Sequence, residues 1–375
     1  MTRVSITRKI NVRDPSVLPL WAQGAAIHEW IEISGTALSS VPPTWSGPGT
    51  KPPGITGPSS KIIAWNGASL QRTGSVYRVG PGGGHADYYG NEINKLDLSV
   101  DSPQWVEEKP CSAYADILDS AVVYLDGARS SSHTYWAQQF DQVNGRVFIV
   151  SSGVPFDGGM PEPPAEYAYP TGTPILQAFD VGTNAWLAPT TFPNFPFGAT
   201  QSADLVCANP VTNEFFINSS QKGALWKFSP ASGWTNVGPW YLNGGYAGSA
   251  VDPTRDRMLV VGGGTRAPFV RSTLDASAVA VTFGGLGSAA LQMDGYPGVV
   301  YDEDNDRFLV FKNTDPITVY AVDAADFTVS LLTTTGTTPA QRPNGIHNSV
   351  QYAPELRGVV MANSYTGNVK FMRVA

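Results

Sequence analysis

Six times along this chain an apolar run breaks at a short polar turn and resumes as a second β-rich run, with side chains that vary from copy to copy. The turns begin at Asn66, Asp141, Asn209, Asp252, Asp302 and Ala353, and the runs after them occupy residues 75–80, 146–151, 214–219, 257–262, 307–311 and 358–363. A unit this small cannot bury its own apolar face and must stack on its neighbours. A period of roughly 40 to 50 residues built from short strands is the pattern of a β-propeller.

Lettering the strands of a blade A to D from the axis outward, the pattern predicts for blade 1 strand A at 61–65, B at 75–79, C at 91–98 and D around Trp105. Further C strands are expected at 175–181, 224–228, 271–275, 317–323 and 368–374, several ending in a hydrophobe and Asp (Leu96-Asp97, Phe179-Asp180, Val322-Asp323). Trp105, Trp186 and Trp234 open the D strands that follow. The sixth copy stops after its C strand, which would leave a row of unpaired backbone groups. The segment His28-Glu29-Trp30-Ile31-Glu32-Ile33 has the same Trp-plus-alternation look and is predicted to pair with residues 368–374, closing the ring.

The fold class expected is therefore all-β, a six-bladed β-propeller filling residues 15–375 as a single domain. Seven blades are the alternative if residues 110–132 form strands of their own. Composition agrees, since only 15% of the 375 residues are charged while Gly (39), Pro (30), Trp (10), Tyr (15) and Phe (16) are abundant. That mixture suits many turns between aromatic strands and does not suit a helical bundle. Residues 1–14 stand outside the blade count. There Val4, Ile6, Ile10 and Val12 alternate with polar residues, a strand-like arm able to dock on another protein subunit or to lie along a blade.

A formal net charge of −7 argues against nucleic acid, because phosphate binding draws on clustered Lys and Arg. The first residues hold no apolar core, so neither a secretory signal peptide nor membrane insertion is expected. Cys111 and Cys207 are too few for a disulfide framework, and Cys207, in the apolar run 203–208, reads as a small buried hydrophobe.

In such blades the B–C and D–A loops share one face. Here that face receives the long connections 35–60, 81–90, 110–132, 152–173 and 262–269, whereas the A–B turns are short. Loops of that length are uncommon unless they bind something or are disordered. His85, His133 and His347 map to this face, where imidazoles can move protons, bind a metal or bond to loop backbone. Asp87, Tyr88, Tyr89, Asn91, Tyr135, Trp136 and Asn348, with Tyr114, Tyr167 and Tyr169, place aromatic faces beside carboxylate and amide groups. Sugars are held in this way, although tyrosines of this kind also pack loops together. Gly82-Gly83-Gly84 is not a phosphate loop, because no Lys-Ser/Thr and no helix follow; its glycines let backbones approach closely. Residues 302–306 superficially resemble a calcium loop but have Arg307 where that loop needs Gly, so no metal and no cofactor is expected.

The glycine group ending strand B, the strand Asn91-Glu92-Ile93-Asn94-Lys95-Leu96-Asp97-Leu98 and Trp105 one hairpin later resemble the kelch-type β-propellers, the superfamily that includes the galactose oxidase propeller. The fuller string Gly-Gly-Gly-His-Ala-Asp-Tyr-Tyr-Gly-Asn-Glu is similar to uncharacterised kelch-like proteins of bacteria and their phages. The resemblance implies a ligand face made of B–C and D–A loops. It does not extend to copper-radical chemistry, for which Cys111 is the one available cross-linking Cys and the rest of the ligand set is not marked out. Sialidase Asp-boxes are absent from the sequence.

The function expected is a non-catalytic binding module displayed on a larger assembly, a phage tail or capsid, recognising a cell-surface glycan. It would act on the virion or at an extracellular surface if phage-derived, and otherwise in the cytoplasm. One alternative is a polysaccharide lyase or hydrolase using His85, His133, His347, Tyr135 and Arg129 as acids, bases and cation. A purely structural decoration protein is the other.

Overall fold

The computed structural model describes residues 18–84, 86–119, 121–150, 154–155, 175–196, 205–219, 223–240, 246–263, 266–293 and 295–375. Their strands form six meanders, each running A-B-C-D through antiparallel pairing. The inner strands are Ser69–Gln71, Gln138–Asp141, Leu205–Asn209, Ala247–Asp252, Gly298–Asp302 and Val350–Ala353. Most neighbouring inner strands pack directly on one another, and blade 6 packs on blade 1. Blades 2 and 3 meet at their turns, where Asn213 donates to Asp141 at 2.7 Å and accepts from the Gln142 N–H at 2.8 Å. The result is a closed six-bladed propeller. A cavity of about 110 Å³ on its axis is lined by Ser69, Gln139, Cys207, Asn348 and Gln351 among others.

Closure comes from the amino-terminal segment, as the sequence predicts. Glu29–Glu32 is the D strand of blade 6, with Trp30, Ile31 and Glu32 opposite Met372, Phe371 and Lys370 of the carboxy-terminal strand Lys370–Arg373. The short strand Thr335–Gly336 then covers its outer edge in parallel, so that edge is not left bare. Trp30 is wholly buried in the layer between blades 5 and 6, edge-on to Phe311 at 6.3 Å.

The recurring Asp or Asn that ends the strands has a local cause. Asp141, Asn209 and Asp252, at the ends of A strands, accept from the backbone N–H groups two and three residues on, and Asp180 and Asp323 do the same at the ends of C strands. Such side chains turn the chain and satisfy donors that the sheet leaves over. The A–B turns are also tied to each other. Arg255 pairs with Asp252 and Asp306, Tyr352 donates to Asp304, and Arg72 of blade 1 pairs with Glu303 of blade 5. Glu303, Asp304 and Asp306 thus serve turn-to-turn bonds, while Asp302 pairs with Arg307 across its own turn.

Three sequence expectations are corrected. Residues 61–65 are not strand A of blade 1. Ser60–Ile63 is a helical turn, the inner strand is Ser69–Gln71, and the A–B turn begins at Arg72, not Asn66. The run Lys61-Ile62-Ile63 looks strand-like, but Lys61 is drawn inward to a buried carboxylate and the chain coils to reach it. The C strand of blade 4 is Phe269–Ser272, earlier than residues 271–275. Residues 110–132 build no seventh blade; among the described residues they hold the 3-10 turn Tyr114–Asp116, an isolated Val123–Arg129 bridge and the start of the two-residue strand Ser132–His133, which pairs with Val154–Pro155.

Candidate functional site

Just ahead of the inner strand, five of the six blades carry an aromatic residue in left-handed backbone conformation: Trp65 (φ 50°), Tyr135 (47°), Tyr246 (77°), Tyr296 (47°) and His347 (51°). The corresponding stretch of blade 3, residues 197–204, lies outside the described residues. A bulky residue at positive φ is an outlier that costs about 1–3 kcal/mol and persists only where its surroundings force it. Here the forcing contacts run from loop to loop. Tyr135 N–H donates to the Trp65 carbonyl at 2.8 Å, Tyr296 N–H to the Tyr246 carbonyl at 3.2 Å, and Ile346 N–H to the Tyr296 carbonyl at 2.9 Å. The left-handed turn aims each carbonyl at the next blade's amide, and the aromatic side chains gather at the mouth of the axial channel.

Their rings touch. Trp65 lies 5.0 Å from His133, Tyr135 lies 5.9 Å from His133 and 5.4 Å from His347, and Trp136 stacks on Tyr296 at 6.2 Å and 24°. Tyr296 is also 4.7 Å from both Tyr246 and His347. Burial pushes the Tyr296 hydroxyl above its ordinary pKa. Exposure is graded: Tyr246 is 45% exposed, Trp65 and Tyr296 are half-buried, and Trp136, His133 and His347 form the floor at 1–2%.

Two of the predicted imidazoles therefore share one end of the torus, both against Tyr135. His85 lies outside the described residues, as do Tyr167, Tyr169 and the 1–14 arm. His133 Nε2 is 3.0 Å from Asp87 Oδ2, and Asp87 accepts from Thr56 through its other oxygen at 2.6 Å. His347 Nε2 is 2.7 Å from the Asn344 carbonyl, an acceptor, so that nitrogen carries the proton. Burial first, and then the Arg342 charge, hold His347 well below its ordinary pKa. Both imidazoles are buried, each held through Nε2.

Several predicted contact residues are inside the protein. Tyr88 and Tyr89 are 0% and 1% exposed, so neither offers a face to a ligand. Tyr88 donates to Glu92 at 2.9 Å, and Tyr89 reaches Asp119 at 3.4 Å while its carbonyl accepts from Tyr124. The loop glycines explain the burial: a Cβ on Gly83 would lie 2.2 Å from the Tyr88 carbonyl oxygen, and one on Gly90 2.2 Å from the Tyr88 ring. Asn91 is buried and clamps Ser112 and the Arg129 carbonyl. Arg129 is wholly buried, donates to the Ile175 carbonyl at 3.3 Å, and is pushed by burial down to about 9. It cannot meet a substrate carboxylate at the surface. Asn348 spans blades 1 and 2 through the Ala68 and Gln138 carbonyls.

Beneath these loops lies a buried ionic knot. Lys61 Nζ is 2.5 Å from Glu92 and 2.7 Å from Asn94, and the Cys111 thiol donates to the other Glu92 oxygen at 2.9 Å. Burial, seconded by the Glu92 charge, pushes both the Cys111 thiol and the Tyr88 hydroxyl far up, so neither is a nucleophile. Sequence reasoning missed Trp65, Tyr246 and Tyr296, the three rings that reach solvent.

No protein-family model and no curated protein sequence matches the chain. Solved structures similar to it include an auxiliary nutrient binding protein from Bacteroides ovatus, with TM-score 0.48, 10% identity and coverage of 84% of this chain and 69% of that one. A structural genomics protein of unknown function from Bacteroides thetaiotaomicron gives TM-score 0.48, 11% identity and coverage of 91% and 74%. A chain of a nidogen/laminin complex gives 0.46, 11%, 77% and 84%. The propeller assignment rests on the chain's own strand pairing.

Proposed function

We propose that this protein is a non-catalytic carbohydrate-binding module, a kelch-like propeller that holds a hydroxyl-rich ligand against the aromatic mouth on its loop-rich face. The observation that carries the reading is the set of five left-handed aromatic residues converging on one end of the channel. Backbone strain repeated blade after blade is retained where it presents side chains for use. What it presents is amphipathic ring surface beside hydroxyl and indole N–H groups, the complement of a sugar with its C–H faces and hydroxyls. Arg129, the cation that a lyase reading needs, is wholly buried, which favours binding over bond cleavage. The alternating pattern of residues 1–14 suits attachment to a larger assembly, and a phage tail or capsid displaying the module toward a bacterial surface glycan fits both features.

A bacterial surface-glycan array read with wild type and Tyr246→Ala tests this. Tyr246 is half exposed, so its removal leaves the fold intact. Binding to the recognised glycan is expected to fall about tenfold or more, the effect of losing an aromatic anchor. Unchanged binding in Tyr246→Ala and in Trp65→Ala would overturn the proposal.

A further inference from the structure

We infer that the floor of the mouth holds a niche for one ligand hydroxyl, with Trp136 Nε1–H as donor and His347 Nδ1 as acceptor, and that one hydroxyl position of the bound sugar is consequently essential to its binding. This deepens the carbohydrate reading above and rests on it. Trp136 and His347 are 2% and 1% exposed, and their rings meet edge to face at 4.7 Å. Trp136 Nε1 and His347 Nδ1 are both buried, and neither has a hydrogen-bond partner among the described residues. The direction of each is fixed by chemistry. An indole nitrogen can only donate. His347 spends its proton on the Asn344 carbonyl through Nε2, and the ring stays neutral, so Nδ1 is a bare lone pair.

An unmet donor and an unmet acceptor on two touching rings, both out of water, are costly unless a ligand group answers them. A hydroxyl does, because it donates and accepts through a single oxygen. A carboxylate satisfies the indole but has no proton for Nδ1, and the Asp87 carboxylate near His133 opposes it further. An ammonium has protons but no lone pair, and it faces the buried Arg342 guanidinium, whose described bonds go to the carbonyls of Asn66, Gly345 and Ile346. Tyr296 lies over the niche, against both rings, and must swing aside as the hydroxyl enters.

The test titrates methyl glucoside and methyl galactoside into the full chain by calorimetry or ligand-observed NMR. At least one of the two is expected to bind, and Trp136→Phe, which keeps a ring and removes the N–H, to weaken it about tenfold. Monodeoxy analogues of the bound glycoside need no variant: one position is expected to lose about tenfold and the others little. A deoxy series with no sensitive position, or a Trp136→Phe variant that binds as wild type does, overturns the niche. If those glycosides bind with dependence on Tyr246 but without those sensitivities, only the niche falls. If no sugar binds wild type, the carbohydrate reading falls with it.

Discussion

Trp30→Ala is expected to remove about 3–5 kcal/mol from the unfolding free energy, measured by urea denaturation. Trp30 is 0% exposed and sits at the centre of the strand that completes blade 6. Its indole nitrogen has no hydrogen-bond partner among the described residues, so the loss is one of packing alone. The cavity would open between blades 5 and 6, lined by Phe311, Val319, Val359 and Met372, and antiparallel sheets pinned on both sides cannot collapse to fill it. Because this strand is also what seals the ring, the weakened layer is the seam through which the torus would open. Trp30→Phe, which retains most of the buried ring, is expected to recover much of the loss. A cost below about 1 kcal/mol for the alanine variant would mean that the amino-terminal strand does not hold the propeller shut.

The second large effect concerns charge. Lys61→Met leaves Glu92 buried without its cation and is expected to cost about 3–5 kcal/mol at neutral pH. In the native protein burial alone would push the Glu92 carboxyl up, but the Lys61 charge and the hydrogen bonds from Cys111 and Lys61 outweigh it and hold the group below its ordinary value of 4.5. A depressed folded pKa contributes stability that is complete above 4.5 and lost as pH falls through the folded value. In Lys61→Met the burial effect is unopposed and the folded pKa lies above the unfolded one. The sign then reverses, and the variant is least handicapped in acid, losing stability as pH rises through 4.5 and beyond. Adding Glu92→Gln is expected to restore a large part of the loss and to flatten the pH dependence. Denaturation curves for the three proteins from pH 3 to 8 decide it; parallel profiles for wild type and Lys61→Met would contradict the buried pair.

The blades were legible because their signals are local. An Asp or Asn closing a strand carries its own turn, and a Trp followed by alternation marks an outer strand wherever it occurs, which is how residues 28–33 could be joined to a strand more than 300 residues away. Blade 1 misled because Lys61-Ile62-Ile63-Ala64-Trp65 has strand composition, while the contact that coils it, Glu92, is set by tertiary packing and lies in another strand's loop. The mouth was half legible. His133, His347, Tyr135 and Trp136 lie at a predictable loop end, but Tyr88 and Tyr89 look the same in sequence and are buried by close glycine packing. Trp65, Tyr246 and Tyr296 each have a glycine within two residues (Gly67, Gly245 and Gly295), which marks a bend without showing that the aromatic takes the left-handed position, since hydrogen bonds between neighbouring blades impose it. The available clue was positional: an aromatic shortly before five of the six inner strands.

The central claim is that these rings form one binding surface at one end of the channel. The ten tryptophans give ten indole N–H resonances, so ¹⁵N-indole NMR during titration with a bound methyl glycoside reads it directly. The account predicts that the Trp65 and Trp136 signals move together and saturably, while those of Trp30, Trp105 and Trp186, packed in the blades, stay fixed. Saturable binding that leaves Trp65 and Trp136 unmoved would contradict it.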